Sequence, residues 1–148
     1  MCSRPNLVTA LHWVPKMANK PKIYKTKFNE DGSAYVMARA MRKNSSQNLV
    51  ALVPADVSSV IRRVFTTSDG SVVIGPTTLT TSDVILSALS TGTIWTADTT
   101  GFNFVDTVPA TAFPDGDTEY QIEYKITLTG GEVFWLLVSG TSLAVLTS

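Results

Sequence analysis

The chain has 148 residues, of which 44% are hydrophobic and 16% are charged, and its formal net charge at neutral pH is zero. This length suits one domain that buries most of its apolar surface without disulfides, and the composition lies outside the disordered class. No uninterrupted apolar run approaches the roughly 20 residues of a membrane span, so the composition predicts a soluble protein. The single cysteine, Cys2, and the single histidine, His12, exclude an internal disulfide and a zinc site of the Cys/His type.

The net charge of zero conceals a division along the chain. Residues 1–63 carry eleven Lys or Arg and three acids, a balance of +8, whereas residues 64–148 carry one lysine and nine acids, a balance of −8. A basic arm that meets nucleic acid or an acidic neighbour is one interpretation. We favour neutralisation of the two halves within the fold or between subunits, because the basic residues are spread out and lack interleaved aromatic residues. Nucleic acid is therefore disfavoured as a partner.

Residues 1–22 differ from the rest and are predicted to form an N-terminal arm or extension ahead of a β-sandwich domain at residues 23–148. The apolar run 7–14 resembles the core of a signal peptide, but no small-residue cleavage site follows, so we expect no secretion by this route. Met17 has the look of a translation start, which leaves open whether residues 1–16 belong to the native product. We expect the arm to contact a neighbouring subunit, its lysines meeting acids of the C-terminal half, through Leu7, Leu11, Trp13, Lys16, Lys20 and Lys22.

From Ile23 onward, short β-patterns alternate with turn residues. Period-two alternation and β-branched residues predict strands, and clusters of Asn, Asp, Gly and Ser predict turns between them. The predicted strands are residues 23–28, 34–42, 49–53, 57–66, 72–74, 103–108, 118–128 and 133–138. Residues 80–83 offer a helix N-cap, so residues 84–89 stay open between one short helical turn and a strand.

About eight short strands without a long amphipathic helix predict an all-β fold, an antiparallel immunoglobulin-like β-sandwich with Greek-key connections. The Cys, Trp, Cys pattern of antibody domains is missing, so the prediction is one of architecture by analogy. Trp95, Phe104, Tyr124 and Ile126 are predicted core residues, because each lies on a strand or strand boundary in a segment of strict alternation or dense apolar content.

The segment that begins at Trp95 is predicted to be structural. Trp95 is most simply a large core side chain whose indole N–H requires one acceptor, and Asp98 is a turn former that bonds nearby backbone N–H groups. Gly101 permits a backbone conformation that other residues resist. A binding role for Trp95 and Asp98 is the alternative. Asn103 lies between two phenylalanines, so alternation leaves its side chain free to face solvent.

The sequence contains no clear grouping for catalysis or metal binding. Asp115, Asp117 and Glu119 place carboxylates at alternate positions, as calcium loops do, but the rest of an EF-hand loop is missing and a solvated turn is favoured. Glu123 and Glu132 resemble a glycosidase pair in residue type only, if they face each other across the hairpin between them. A Ser/His/Asp triad depends on the one histidine, in the N-terminal extension. We therefore predict a protein that is not an enzyme and that holds no cofactor or metal.

Several segments carry a family likeness: Trp95-Thr96-Ala97-Asp98, Gly101-Phe102-Asn103-Phe104, Tyr120-Gln121-Ile122-Glu123-Tyr124-Lys125, and Val57-Ser58-Ser59-Val60 leading into Val64-Phe65. They resemble small immunoglobulin-like domains of tailed phages and prophages, and are similar to the N-terminal domain of baseplate upper proteins. The likeness spans roughly residues 22–145. It implies a virion structural protein, with capsid decoration, neck, tail and baseplate or fibre attachment left open.

Two functions from different classes remain. The first is assembly, as a homo-oligomer that also contacts other virion proteins, through edge strands and apolar patches and without a membrane. The alternative is a carbohydrate- or receptor-binding module with exposed aromatic residues in its loops. The aromatics that discriminate between these functions are Tyr24, Tyr35, Phe113 and Trp135. Clustered exposure on one loop face favours sugar binding, whereas burial or contact with another chain favours assembly.

Overall fold

A computed structural model of the chain describes residues 23–92 and 94–145 in full, and the backbone of residues 6–13. The strands are β1 (Asn6–Trp13), β2 (Ile23–Asn29), β3 (Ala34–Lys43), β4 (Leu49–Ala51), β5 (Val57–Thr66), β6 (Val72–Leu79), β7 (Ile85–Ser90), β8 (Phe102–Val108), β9 (Glu119–Leu128) and β10 (Val133–Leu143). The helical elements are α1 (Thr81–Val84) and two 3-10 turns, Pro54–Asp56 and Ala110–Ala112. Within these described ranges, no helix is long and apolar enough to cross a membrane.

The strands form two sheets. The first has the order β1-β3-β8-β7, with β4 paired to the end of β3, and the second has the order β2-β10-β9-β5-β6. The prediction of a mostly β fold is confirmed, but the prediction of purely antiparallel pairing is wrong, because β1 runs parallel to β3 and β2 runs parallel to β10. No hairpin joins β2 to β10, so nothing imposes an antiparallel direction on that pair. A Cβ at Gly140 would collide with the Thr26 carbonyl oxygen, so this close pairing depends on glycine.

The core lies between the two sheets and follows strict alternation in the strands. In β9 every second side chain is buried, from Tyr120 to Leu128, while the side chains between them face outward. Phe104 of the first sheet meets Tyr124 of the second sheet edge to face, with ring centroids 5.0 Å apart. Phe104, Tyr124 and Ile126 are fully buried in this core. Trp95 is 6% exposed and lies in a second, smaller apolar cluster with Met37 and Phe102.

Strand boundaries differ from the predictions mainly at Gly and Pro residues, through which two strands continue. β5 has its predicted bounds, whereas β6 continues through Gly75 and Pro76 and β10 continues through Gly140. β6 is an edge strand, where a missing backbone N–H is tolerated. Of the two alternatives for residues 84–89, the strand is the one found, since β7 covers Ile85–Ser90, while the single helical turn α1 precedes it and ends at Val84.

The predicted N-terminal arm falls largely outside the described residues. The backbone of β1 pairs with β3 of the same chain, from Asn6 beside Ala34 to Trp13 beside Ala40. The side chains of Leu7, Leu11 and Trp13, and all of Lys16, Lys20 and Lys22, lie outside what the structure describes. Contact between this arm and a neighbouring subunit stays a prediction.

Candidate functional site

The segment before β8 is fastened to the outer face of the first sheet by Asp98. Its Oδ1 accepts hydrogen bonds from the Trp95 indole at 3.0 Å, the Thr100 N–H at 2.9 Å and the Gly101 N–H at 3.0 Å. Its Oδ2 is paired with Arg39, which also donates through Nε to the Gly101 carbonyl at 2.8 Å. These bonds, first that from Gly101 and then those from Trp95 and Arg39, hold the pKa of Asp98 below its usual range. Asp98 is committed to partners within the chain, and the group acts as a structural fastening.

Gly101 allows the segment held by Asp98 to approach the backbone of β7 closely. Its φ is +98°, and a Cβ there would collide with the carbonyl group of Ser90. Next to it, Phe102 turns onto the outer cluster, where its ring lies 5.4 Å from that of Trp95. The geometry therefore explains why position 101 requires glycine and why Asp98 acts as a hydrogen-bond acceptor.

The expectation that Asn103 is free to face solvent is wrong, since its side chain is completely buried. Its Oδ1 accepts from the Ala40 N–H at 2.7 Å, and its Nδ2 donates to the carbonyls of Ala40 at 2.9 Å and Leu52 at 2.8 Å. The regular β3–β8 pairing ends one step earlier, at Ala38 and Phe104. The amide thus supplies the bonds that the next rung of the ladder would have made, and it also ties down the chain just after β4.

A buried polar group in the core was missed by sequence reasoning. Arg62 of β5 donates to Asp106 Oδ2 of β8 at 2.7 Å, and the Tyr124 hydroxyl of β9 donates to the same oxygen at 2.8 Å. Arg62 is 7% exposed, Asp106 8% and Tyr124 not at all. Burial, followed by the negative charge of Asp106, raises the pKa of the Tyr124 hydroxyl well above its ordinary value, so it remains a donor.

The sequence held a signal for this group. Arg62 lies between Val60 and Val64 on the buried face of β5, and Asp106 lies two residues beyond Phe104 on the buried face of β8. Opposite charges at inward positions of two predicted strands indicate a buried ion pair. The sequence does not indicate which strands face each other, so the pairing of Arg62 with Asp106 could not be predicted.

Ion pairs connect the basic and acidic halves of the chain. Every arginine within the described residues has a carboxylate partner: Arg39 with Asp98, Arg42 with Asp56, Arg62 with Asp106, and Arg63 with Glu123. Three of these four pairs join the N-terminal half to the C-terminal half. These three pairs neutralise part of the opposite charge of the two halves within the fold.

The acidic residues weighed for metal binding or catalysis do not come together. Within the described part of the chain, no group of three or more His, Cys, Asp or Glu side chains is placed to hold a metal ion. The pairing register sets Glu123 opposite Leu137, and not opposite Glu132, because the hairpin pairs Val133 with Thr127. The expected geometry of a facing carboxylate pair is therefore wrong. Glu123 instead binds Arg63 at 2.6 Å on the outer side of the second sheet.

A cleft opens at one end of the sheets, between the turns that follow β3 and β9. Its volume is about 770 Å³, and its lining residues include Arg42, Lys43, Gln47, Glu132 and Phe134. Arg42 is held by Asp56, with 3.1 Å between Nε and Oδ2. Mixed donors and acceptors beside apolar side chains can bind a polar organic ligand.

The four aromatics chosen to discriminate the two functions do not form an exposed loop cluster. Phe113 is fully buried and stacks on Phe28, with centroids 4.3 Å apart. Tyr24, Tyr35 and Trp135 are partly buried and lie within β2, β3 and β10. By the criterion set from the sequence, this placement weakens sugar binding through loop aromatics.

The outer face of the second sheet combines apolar and charged side chains. We use this name for the outward residues of its five strands, which include Ile23, Ile61, Arg63, Phe65, Val72, Glu123, Lys125, Trp135 and Leu137. Ile23 is 43% exposed and Val72 54% exposed. Lys125 Nζ lies 5.9 Å from the centre of the Trp135 ring, and the Arg63 guanidinium lies 5.5 Å from that of Phe65. Among the described strands, those of this sheet pair only with one another.

No family model matches the chain, and no curated protein matches its sequence.

Proposed function

We propose that this chain is a non-enzymatic structural protein of a tailed-phage virion, which works by assembling with copies of itself and with other virion proteins. The motif resemblance supports the virion location. The observation that carries the assembly role is the outer face of the second sheet, where Trp135, Leu137 and Phe65 lie partly exposed among charged residues. Uncovered faces of mixed apolar and charged character are typical of protein contact surfaces.

The finer fold assignment, an immunoglobulin-like Greek-key sandwich, belongs to the same proposal. The order β3-β8-β7 in one sheet and β10-β9-β5-β6 in the other corresponds to strands B, E and D facing G, F, C and C′ of such domains. Tyr120 supports it further, because its hydroxyl accepts from the Asp115 N–H at 3.0 Å and donates to the Asp115 carbonyl at 3.3 Å. A tyrosine near the start of strand F that bonds backbone a few residues upstream is the tyrosine corner of these sandwiches.

The internal use of polar groups also favours a structural protein. Asp98, Asp106 and Glu123 are committed to arginines, and Asn103 is committed to backbone. Pairing of this kind fixes the positions of these groups and leaves them unavailable as general acids, bases or nucleophiles. The test is mass spectrometry of particles purified from cells that carry the gene. The proposal expects this chain in the particles at a fixed ratio to the other structural proteins.

The end cleft favours a second candidate, a carbohydrate- or receptor-binding module. Lys43, Gln47 and Glu132 line the cleft together with Phe134, which suits a ligand with several hydroxyl groups. A glycan array followed by calorimetry, with Glu132→Ala and Lys43→Ala as cleft variants, tests this reading. Saturable glycan binding that both variants weaken favours the module. If the variants change neither binding nor assembly, the structural role is the better account.

A further inference from the structure

The two sheets differ in how their outer faces are covered. On the first sheet, Met37 points outward yet is completely buried, because Trp95 and Phe102 of the same chain pack over it. On the second sheet, the outward residues of β5, β9 and β10 are partly exposed. Among the described residues, the chain therefore covers the outer face of the first sheet but has no such apolar cover on the second.

We propose that the outer face of the second sheet packs against the same face of a second copy of this chain, about a two-fold axis. The inference rests on the proposed assembly function and deepens it, since it names the surface, the partner and the symmetry. A contact of this kind is isologous: each surface patch must be complementary to itself.

The charges on this face meet that condition. Arg63 of β5 and Glu123 of β9 are directly opposed across neighbouring strands and lie 2.6 Å apart. A two-fold axis that passes beside this pair brings Arg63 of one copy to Glu123 of the other, and the reverse, so attraction occurs twice. A single positive or single negative centre at this place would repel itself.

The apolar residues of this face also lie on both sides of the charged pair, as a self-complementary surface requires. On one side of the charged pair lie Leu137 and Ile23, which are register partners in β10 and β2. On the other side lie Phe65 and Val72, which are register partners in β5 and β6. An axis parallel to the strands carries the Leu137 group of one copy to the β6 side of the charged pair on the other, one outward row from Phe65 and Val72. Apolar side chains of both copies then lie beside the central ion-pair cluster.

The area is sufficient for a stable dimer. Five strands about 4.8 Å apart, each roughly nine residues long at about 3.4 Å per residue, make a face of roughly 700 Å². A standard interface buries about 800 Å² on each partner. Two copies that pack fully over this face thus reach the size of a specific contact.

The decisive experiment mixes two charge variants, Arg63→Glu and Glu123→Arg. Each variant alone sets like charges against each other across the axis, so its self-association, measured by analytical ultracentrifugation, should weaken by at least about tenfold. In an equimolar mixture every contact across the axis again joins opposite charges, and a one-to-one heterodimer should form. A pair that acts only within one chain gives no recovery on mixing, and that result overturns the inference.

An apolar variant provides a second arm. Leu137→Asp places a charge within the face and should abolish dimer formation, whereas Leu49→Asp, at a residue 45% exposed on β4 of the first sheet, should leave it intact. Circular dichroism establishes that each variant is folded. If wild type is monomeric at all concentrations, or if Leu137→Asp associates as wild type does, this face is not the self-contact. Presence of the chain in particles is scored separately, so the proposed function can stand when this surface fails.

Discussion

The hydroxyl of Tyr124 donates to Asp106 Oδ2 at 2.8 Å, and this bond joins the second sheet to the first through the middle of the core. Arg62 donates to the same carboxylate oxygen from β5, at 2.7 Å. Three side chains from three strands thus fix the relative position of the sheets by directional bonds, where apolar packing alone tolerates some slippage.

Removal of this hydroxyl should measure its contribution. We expect Tyr124→Phe to lower the free energy of unfolding by about 1.5 to 3 kcal/mol, because a hydrogen bond to a charged group is lost while the ring packing is kept. Urea denaturation followed by fluorescence gives the value. A change within error would show that the hydroxyl does not contribute to holding the Asp106 carboxylate in place.

The buried ion pair should behave non-additively. Arg62→Met leaves the Asp106 carboxylate buried without its cation, and we expect it to cost about 3 to 5 kcal/mol. Asp106→Leu leaves the opposite charge and should cost a similar amount. The double variant removes both charges, so its cost should be clearly smaller than the sum of the two single costs. Additive losses would mean that the two residues do not act as a pair.

Asp98 should contribute to the acid limb of the stability curve. Its pKa is lowered in the folded state, so its stabilising effect is complete above the unfolded pKa, near about 4, and is lost as the pH falls below that value. We expect Asp98→Asn to be less stable than wild type at neutral pH, with the difference shrinking as the pH falls below 4. Thermal melts over a pH series measure it. A difference that does not change with pH would remove the assigned role of the carboxylate charge.

Gly101 and Gly130 form a matched pair for backbone effects. Gly101→Ala should destabilise the protein by about 1 to 3 kcal/mol or more, because φ is +98° there and the new Cβ meets the Ser90 backbone. Gly130→Ala has no atom within 4 Å of the new Cβ and should be close to neutral. Comparable melting temperatures for the two variants would contradict the proposed fit of the Trp95 segment.

Trp95 and Trp135 should differ in how much each contributes to the stability of the fold. Trp95→Ala removes the centre of the smaller apolar cluster and the donor to Asp98, and we expect a loss of about 3 to 5 kcal/mol. Trp135→Ala, on the outer face of the second sheet, should cost clearly less in the monomer while weakening self-association. A thermal shift within noise for Trp95→Ala would instead favour a binding role for that residue.

Much of the fold could be predicted because local patterns dominate its strands. Alternation in β9 and β5 identified the buried faces, and the burial of Tyr124 and Ile126 follows from it. The direction of β2 could not be predicted, since parallel pairing with β10 depends on contacts far apart in the sequence. The burial of Asn103 could not be predicted for a related reason. Its side chain forms hydrogen bonds with the backbone of a neighbouring strand, and the alternation of residues along β8 does not indicate such bonds.

The candidate site was predicted less well than the fold. Trp95 and Asp98 could be assigned from the residue types of one short segment, because their bond spans three residues. Arg63 and Glu123, which centre the outer face of the second sheet, come from strands sixty residues apart. The importance of such a face depends on what the remaining chain leaves uncovered, and that is a property of the folded molecule.

The most direct test of the assembly account is quantitative mass spectrometry of purified particles, combined with labelling of this chain to locate it. The account predicts that the chain is present at a fixed ratio to the other structural proteins, and that Leu137→Asp reduces its incorporation while Leu49→Asp does not. Complete absence of the wild-type chain from particles, together with monomeric behaviour of the purified protein, would contradict the account.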